Sequence, residues 1–351
     1  MMERPRSLKP WGKGSGHPGP TWRTIVGFGV VVCVLSLLLE GWWILSVPGP
    51  LRHASRVVEV PAHKSVAEVA GLLDEAGVIR SRVGFILLTL ARGSFRSLKA
   101  GEYQIPQGAN TVRVLEQLEG GQVLQHMVVF QEGGTLAELA KQLAAERLAS
   151  ADDIMRVAKD AVFLKTLDIQ ADSVEGYLFP DTYQFVKGMT PEEMLARMVA
   201  RMREKISPEI LAEARARDLT LHQMLTLASI IEKEAVEPSE MPTISAVFWN
   251  RLRKDMPLQA DPTVQYAVGK DRRRLTREDL QTDSPYNTYR RQGLPPGPIA
   301  SPGRAAIQAA VRPAHVNYLY FVAMDDRHHQ FSTNLADHNA AVARYRLVRA
   351  R

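Results

Sequence analysis

Thiol chemistry is almost missing from this chain of 351 residues, which has a single cysteine, Cys33. One cysteine excludes an intramolecular disulfide framework and any Cys-based zinc site. Two hydrolase signatures are missing as well. There is no HExxH pair, so His329 and His338, with Asp325 or Asp337 nearby, read as structural histidines rather than metal ligands. There is no GxSxG, and Ser301 beside its Gly-Pro turn is a poor substitute for that nucleophile elbow. An apolar share of 45% and a charged share of 23% exclude a disordered chain, a fibrous repeat and a polytopic membrane protein. Length predicts two or three domains at ~150 residues each.

The charge excess is small and unevenly placed. Lys and Arg number 44 against 38 Asp and Glu, a net of +6 with a pI near 9.4. Residues 1–23 hold Arg4, Arg6, Lys9, Lys13 and Arg23 against Glu3, a net of +4. The remaining chain has 39 basic and 37 acidic residues, a net of only +2. No nucleic-acid partner is therefore expected, and the run Lys270–Arg274 reads as solvated surface.

What is present begins at the N-terminus. Residues 1–23 are basic and rich in Gly and Pro, which predicts a disordered cytoplasmic tail. Ile25–Val47 follows, 23 residues with one charge, Glu40. As a helix it would rise ~34 Å, enough for a bilayer core of ~30 Å. Trp42 and Trp43 suit the interface, and Pro48-Gly49-Pro50 ends the helix. A cleaved signal peptide is the competing reading, but EGWWIL occupies the place of an Ala-x-Ala-type site. Residues 24–47 are thus expected to be a single-pass anchor, with the basic flank in the cytoplasm and the rest outside.

Beyond the anchor the pattern is mixed α+β. Residues 48–125 should form one module: a strand around Val57–Val60, a helix capped by Ser65 with Glu68, a helix over Ser81–Leu90, a strand near Glu102–Ile105 and a helix capped at Asn110. A second strand–helix module with linking helices is assigned to 126–205. Its strand Met127–Phe130 and helix headed by Thr135 repeat the opening pattern, for SVAEVAGLL (65–73) and TLAELAKQL (135–143) align without a gap. Short modules of this kind resemble the LysM-type fold, which binds glycan. EGYLFPDTY (175–183) suits either a packed loop or a sugar platform.

Residues 206–351 carry the chemistry. Thr220 and Gln223 open a core helix that ends in Glu232, Lys233, Glu234 and Glu237. Glu232 continues a stripe of small residues with Ala228 and Ser229, and Glu234 is rotated ~200° from it. Burial on that stripe would raise the pKa of Glu232, as a general acid requires. Read alone, the segment is better explained by solvated helix-end charges paired with Lys233 or Arg251. The following segments, dense in Pro, Asn, Thr and Tyr, describe rigid loops of the sort that hold binding residues. A glycan-cleaving enzyme needs one carboxylic acid among hydroxyl and amide groups. Glu232 with Ser229, Gln259, Asp261, Asn287 and Tyr289 supplies those types.

The chain resembles the YceG-like endolytic murein transglycosylases. The matching segments, in the family's order, are EGYLFPDTY (175–183), LASIIEKEA (227–235), ISAVFWNRL (244–252), LQADPTVQYA (258–267), SPYNTY (284–289), GLPPGPIASPG (293–303), YLYFV (318–322) and HQFSTNLADHN (329–339). The resemblance implies a bitopic inner-membrane protein, with a LysM-like module followed by a mixed α+β catalytic domain outside the membrane. It implies cleavage of nascent peptidoglycan strands between N-acetylmuramic acid and N-acetylglucosamine, ending glycan elongation. The catalytic glutamate carries over to Glu232, with Glu234 as the alternative; Gln259, Asp261, Thr263, Asn287 and Tyr289 carry over as substrate-binding positions, and Ser229 joins them from the facing argument. No metal and no cofactor are implied. Expected partners are glycan strands, the membrane and peptidoglycan synthases. The pattern departs at Asp325–His328, where a Gly-rich turn would precede His329.

In the mechanism this implies, one carboxyl acts twice. Glu232 protonates the glycosidic oxygen, then takes the proton of the muramic sugar's C6 hydroxyl as that oxygen closes on C1, leaving a 1,6-anhydro end without water. A membrane-anchored peptidoglycan-binding scaffold without catalysis is the alternative, and a metal-dependent amidase comes third.

Overall fold

The computed structural model describes residues 22–50, 55–269 and 274–349. Most of the basic tail and the segment 270–273 of the basic run lie outside the described residues. The chain divides into two compact units between Val123 and Leu124.

The first unit begins with α1 (Trp22–Ser46), in which no residue is buried. Among the described residues it is the one helix long and apolar enough to cross a bilayer. Then come β1 (Ser55–Val60), α2 (Val66–Glu75), α3 (Arg82–Ala91), β2 (Gly101–Pro106) and α4 (Thr111–Gly120). The start signals act as their chemistry requires. Ser65 and Glu68 form a reciprocal capping box on α2, Ser81 caps α3 and Asn110 caps α4. Strands β1 and β2 pair antiparallel, from Ser55 opposite Pro106 to Val60 opposite Gly101. Val58, Leu73, Phe85, Tyr103, Ile105 and Leu115 fill a core between this pair and the helices.

The second unit opens by repeating the first. It runs β3 (Gln125–Val129), α5 (Leu136–Ala145), α6 (Ala151–Val157), α7 (Ala161–Thr166) and β4 (Thr182–Val186). Seventy positions separate the equivalent atoms of the two openings. Thr135 and Glu138 form the second capping box, and Leu139, Ala140 and Leu143 are buried like Val69, Ala70 and Leu73. Leu148 N donates to Leu143 O, as Val78 N does to Leu73 O, both at 3.0 Å. On the return strands Val128 faces Tyr183 as Val58 faces Tyr103. Each tyrosine hydroxyl donates to the carbonyl four residues earlier, Phe179 O at 2.6 Å and Lys99 O at 2.7 Å. The sequence repeat is therefore a repeat of side-chain packing.

The rest of the unit is α8 (Pro191–Lys205), α9 (Pro208–Arg215), α10 (Leu221–Glu234), α11 (Met241–Leu252), α12 (Asp261–Val268), α13 (Arg304–Val311), β5 (Tyr320–Ala323), β6 (His329–Ser332) and α14 (Leu335–Arg349). Helix α10 is the centre. Its capping box forms at Thr220 and Gln223, and every residue from Met224 to Ile231 is buried. One continuous core runs from Val128 to Val311 around it. The sheets stay small: β3 with β4 and β5 with β6 are separate antiparallel pairs. The β5–β6 turn replaces the expected glycines with a side chain, since Asp325 Oδ1 accepts from the Arg327 and His328 amides, each at 2.7 Å. Those donors hold the exposed Asp325 carboxyl down at about 2.

EGYLFPDTY is a packed loop, with Tyr177, Phe179 and Tyr183 all buried. Its glycine lies against the proline-rich loop. Gly176 has φ +78°, and a Cβ there would overlap the Pro298 ring. Gly176→Ala combines left-handed strain with overpacking and should cost roughly 2–5 kcal/mol. The urea midpoint of the purified protein measures this loss.

Candidate functional site

Helix α10 delivers the acids. Ala235 is extended (φ −77°, ψ 126°), so the helix stops with Glu232, Lys233 and Glu234 at its end. Three segments far apart in sequence close around that end. They are the β3–α5 turn with Glu132 and Gly133, the proline-rich loop 293–303, and the start of α12 with Asp261, Pro262 and Gln265. Glu132, Gly133, Glu232, Lys233, Glu234, Ala235, Asp261, Pro262 and Gln265 line a cavity of about 460 Å³.

Hydrogen bonds fix this arrangement. Ser229 Oγ donates to Thr226 O at 2.8 Å and accepts from Ile299 N at 3.0 Å, which ties the loop to the buried side of α10. His222 bonds Tyr177 Oη through Nδ1 at 2.8 Å and Pro296 O through Nε2 at 2.7 Å. Gly303 N donates to Glu232 Oε2 at 2.9 Å. The β3–α5 turn joins the same loop, with Gly133 N donating to Ser301 O and Ser301 N to Gly134 O. Glu132 lies directly on Gly303, where any Cβ would fall on its carboxylate.

A second set of bonds carries the start of α12. Ala260 N donates to Thr288 Oγ1 at 3.0 Å, Gln259 N donates to Thr288 O, and Thr263 Oγ1 meets Thr288 Oγ1 at 2.8 Å. Asn287 donates to Leu280 O and Thr282 O, and its Oδ1 accepts from Tyr289 N. Tyr289 Oη then donates to Asp261 Oδ1 at 2.5 Å. Buried Arg251 donates to Leu319 O, Leu258 O and, at 3.4 Å, Gln259 Oε1.

The expected site residues therefore separate. Glu232 and Asp261 meet in one cavity, with Tyr289 bonded to Asp261 and exposed Gln259 next to the start of α12. Ser229, Thr263 and Asn287, the other expected substrate-binding residues, are buried, with their polar atoms bonded inside the protein, where they position the loops. Glu234, expected to face away, lines the cavity too, because the helix end is open on more than one side. The histidines outside it are held elsewhere. His329 Nδ1 lies 2.7 Å from Glu240 Oε2, and His338 stacks on Tyr320.

The electrostatics follow from four carboxylates crowding one cavity. Burial, together with the Glu132 charge, raises the Glu232 pKa, and the Gly303 amide and Lys233 oppose that rise. Burial and the Asp261 charge push Glu234 up to about 8 against the pull of Arg251. Two carboxylates of this unit, one in the cavity and one in the core, lay outside the predicted set. Glu132 is betrayed in sequence only by the Gly133-Gly134 pair between a strand and a capping box. Glu175, within EGYLFPDTY, is buried and accepts from Leu136 N at 3.0 Å at the start of α5. Burial lifts it to about 7.

The YceG-like family model matches residues 58–344. The chain belongs to the YceG-like family. It is 33% identical over 303 residues to the endolytic murein transglycosylase of Bacillus subtilis (strain 168), covering 82% of this chain and 84% of the relative. The endolytic murein transglycosylase of Streptococcus pneumoniae serotype 2 (strain D39 / NCTC 7466) is 31% identical over 320 residues, 82% of this chain and 58% of the longer relative. A crystal structure of a yceG-like protein from Listeria monocytogenes superposes with a TM-score of 0.58 at 34% identity, covering 82% of this chain and 98% of that one.

Glu175 gives the fold a measurable pH dependence. Its folded pKa is raised from 4.5 to about 7, so its contribution to stability is full below 4.5 and is lost as pH rises through about 7. Glu175→Gln keeps an acceptor for Leu136 N and removes the titration. Melting temperatures across this window should fall more steeply for the wild type than for the variant, and parallel curves would refute the assignment.

Proposed function

We propose that the protein is an endolytic peptidoglycan lytic transglycosylase. It cleaves the β-1,4 bond between N-acetylmuramic acid and N-acetylglucosamine in nascent strands, leaves 1,6-anhydro ends and so terminates glycan elongation. The observation that carries the reading is Glu232. It is a half-buried acid with a raised pKa, oriented by the Gly303 amide at 2.9 Å, in a polar cavity open to a ligand. Family membership and the names of the relatives agree with it.

The chemistry uses that carboxyl twice. Protonated Glu232 donates to the glycosidic oxygen, the C1–O bond breaks, and oxocarbenium character develops at C1 of the muramic sugar. The Gly303 amide on Oε2 steadies the carboxylate that results. That carboxylate removes the C6 hydroxyl proton as O6 bonds to C1. Intramolecular closure needs no captured water, and the nucleophile arrives on the substrate. Asp261, held by Tyr289 Oη, and Gln259 at its side are assigned to sugar hydroxyls and amides. Glu234 keeps a proton near neutrality and can donate a hydrogen bond without adding a charge.

The same reading covers the rest of the chain. Helix α1 is a single-pass inner-membrane anchor, oriented by its basic flank with the N-terminus in the cytoplasm and both units outside. The β1–α2–α3–β2 module, a short α+β unit with an antiparallel strand pair, is taken as a LysM-like glycan-binding module. Synthases that polymerise the strands are partners by shared location and substrate.

Digestion of purified sacculi followed by mass spectrometry of the released ends tests the reaction. Anhydro ends are expected. Reducing ends would mean that two of the four cavity carboxylates act together as a hydrolase. Glu232→Gln should lower the rate by about 10²–10⁴-fold while the melting temperature holds. Glu234→Gln should stay within roughly ten-fold of wild type; the reverse ranking would transfer the acid role to Glu234.

A further inference from the structure

Helix α3 is apolar on both sides. Its sequence, RVGFILLTLA, buries Phe85 and Thr89 against the first unit's core. On the opposite side Val83, Leu87 and Leu90 follow each other at i, i+4 and i+7, and they remain 65%, 60% and 56% exposed. Phe95, just beyond the helix, is 51% exposed and continues the stripe. Apolar residues scattered singly over a surface need no explanation, but a helical stripe of them marks a contact.

The location of the stripe identifies what it contacts. Helix α3 lies against the last turn of α1, where a Cβ on Gly84 would come within 2.8 Å of Ile44 Cγ2. The end of α1 is bonded into the same unit. Thr111 Oγ1 donates to Ile44 O at 3.4 Å, and Asn110 Nδ2 donates to Ser46 O at 3.3 Å. These side chains satisfy carbonyls that a helix end leaves without partners. Arg80 Nε donates to Pro48 O at 2.7 Å, and its guanidinium sits 4.6 Å over the Trp43 ring. Trp42 and Trp43 belong at the membrane–water boundary, so α3 lies at that depth.

We propose that α3 is a second, non-spanning membrane contact, with Val83, Leu87, Leu90 and Phe95 turned into the outer lipid leaflet. The inference rests on reading α1 as the membrane anchor. With 10 residues α3 is ~15 Å long, too short to cross and suited to lying in the interface. Its flanks fit that position, because Arg96 stacks at 5.4 Å on Phe95 and can extend to headgroup phosphates. A bilayer is favoured over a second copy of the chain because α1 brings lipid to the stripe in every anchored molecule. The first unit is then held at two points on the membrane surface.

Site-directed fluorescence on the full chain in phosphatidylethanolamine–phosphatidylglycerol vesicles tests this. In a Cys33→Ser background, single cysteines replace Leu87, Leu90, Leu35 or Val162 and carry an environment-sensitive dye. Lipids bearing a nitroxide near the headgroup end of the acyl chain serve as quenchers. Dyes at 87 and 90 should shift to the blue and lose at least roughly two-fold in emission, while the dye at exposed Val162 of the second unit is unchanged. Quenching at 35 without quenching at 87 and 90 overturns the inference and leaves the anchor intact. A blue shift at 87 and 90 without lipid quenching means protein covers the stripe, which also overturns it. No quenching at 35 removes the anchor reading, and this inference with it.

Discussion

The bond from the Gly303 amide to Glu232 Oε2 joins the two parts on which the site depends, the end of a buried helix and a loop with no regular structure of its own. The loop cannot hold itself. Pro295, Pro296, Pro298 and Pro302 bring no amide hydrogen, so its order comes from stiffness and from a few bonds to its surroundings. Ser229 takes the amide of Ile299 and Glu232 takes that of Gly303. These acceptors lie three residues apart on one face of α10. A single helix face therefore both anchors the loop and presents the acid, and the loop fixes the acid's orientation in return. Because α10 is buried on every side before its last turn, its end cannot drift.

Around this bond the electrostatics are deliberately unbalanced. Glu132, Glu232, Glu234 and Asp261 share one cavity with Lys233 as the cation in its lining. Arg251 stands behind, and its Nε and Nη1 donate to backbone carbonyls and to Gln259. Its charge is felt at Glu234. Crowded carboxylates keep protons that isolated ones would lose. The arrangement thus supplies proton donors near neutrality without a histidine in the cavity lining.

Much of this was legible in the sequence. Capping boxes at Ser65 and Thr220 were readable because the partner is fixed at three residues' distance, and the repeat was readable because helix and strand periods survive substitution. The stripe of Ala228, Ser229 and Glu232 was legible from helical spacing. The surroundings of the polar positions were not legible. Ser229, Thr263 and Asn287 have the right chemistry for sugar contact, yet a hydroxyl or amide serves equally well for a buried loop. Their partners Ile299 and Thr288 lie far along the chain, and Leu280 and Thr282 lie in a segment without periodic pattern. Glu132 was missed for a similar reason: it reaches the cavity through a turn one hundred residues before the helix it faces.

The repeated module gives the chain an internal reference. In the second copy the turn after the first strand, Glu132-Gly133, forms a wall of the cavity. In the first copy the corresponding residues, Ala62 and His63, are exposed. Val58 and Val128, Leu73 and Leu143, Tyr103 and Tyr183 occupy matching places in the two cores. Matched truncations at such a pair compare one packing environment with and without the acidic cavity built on it. The difference between them would isolate what that cavity costs the scaffold that carries it, within one polypeptide and one solvent.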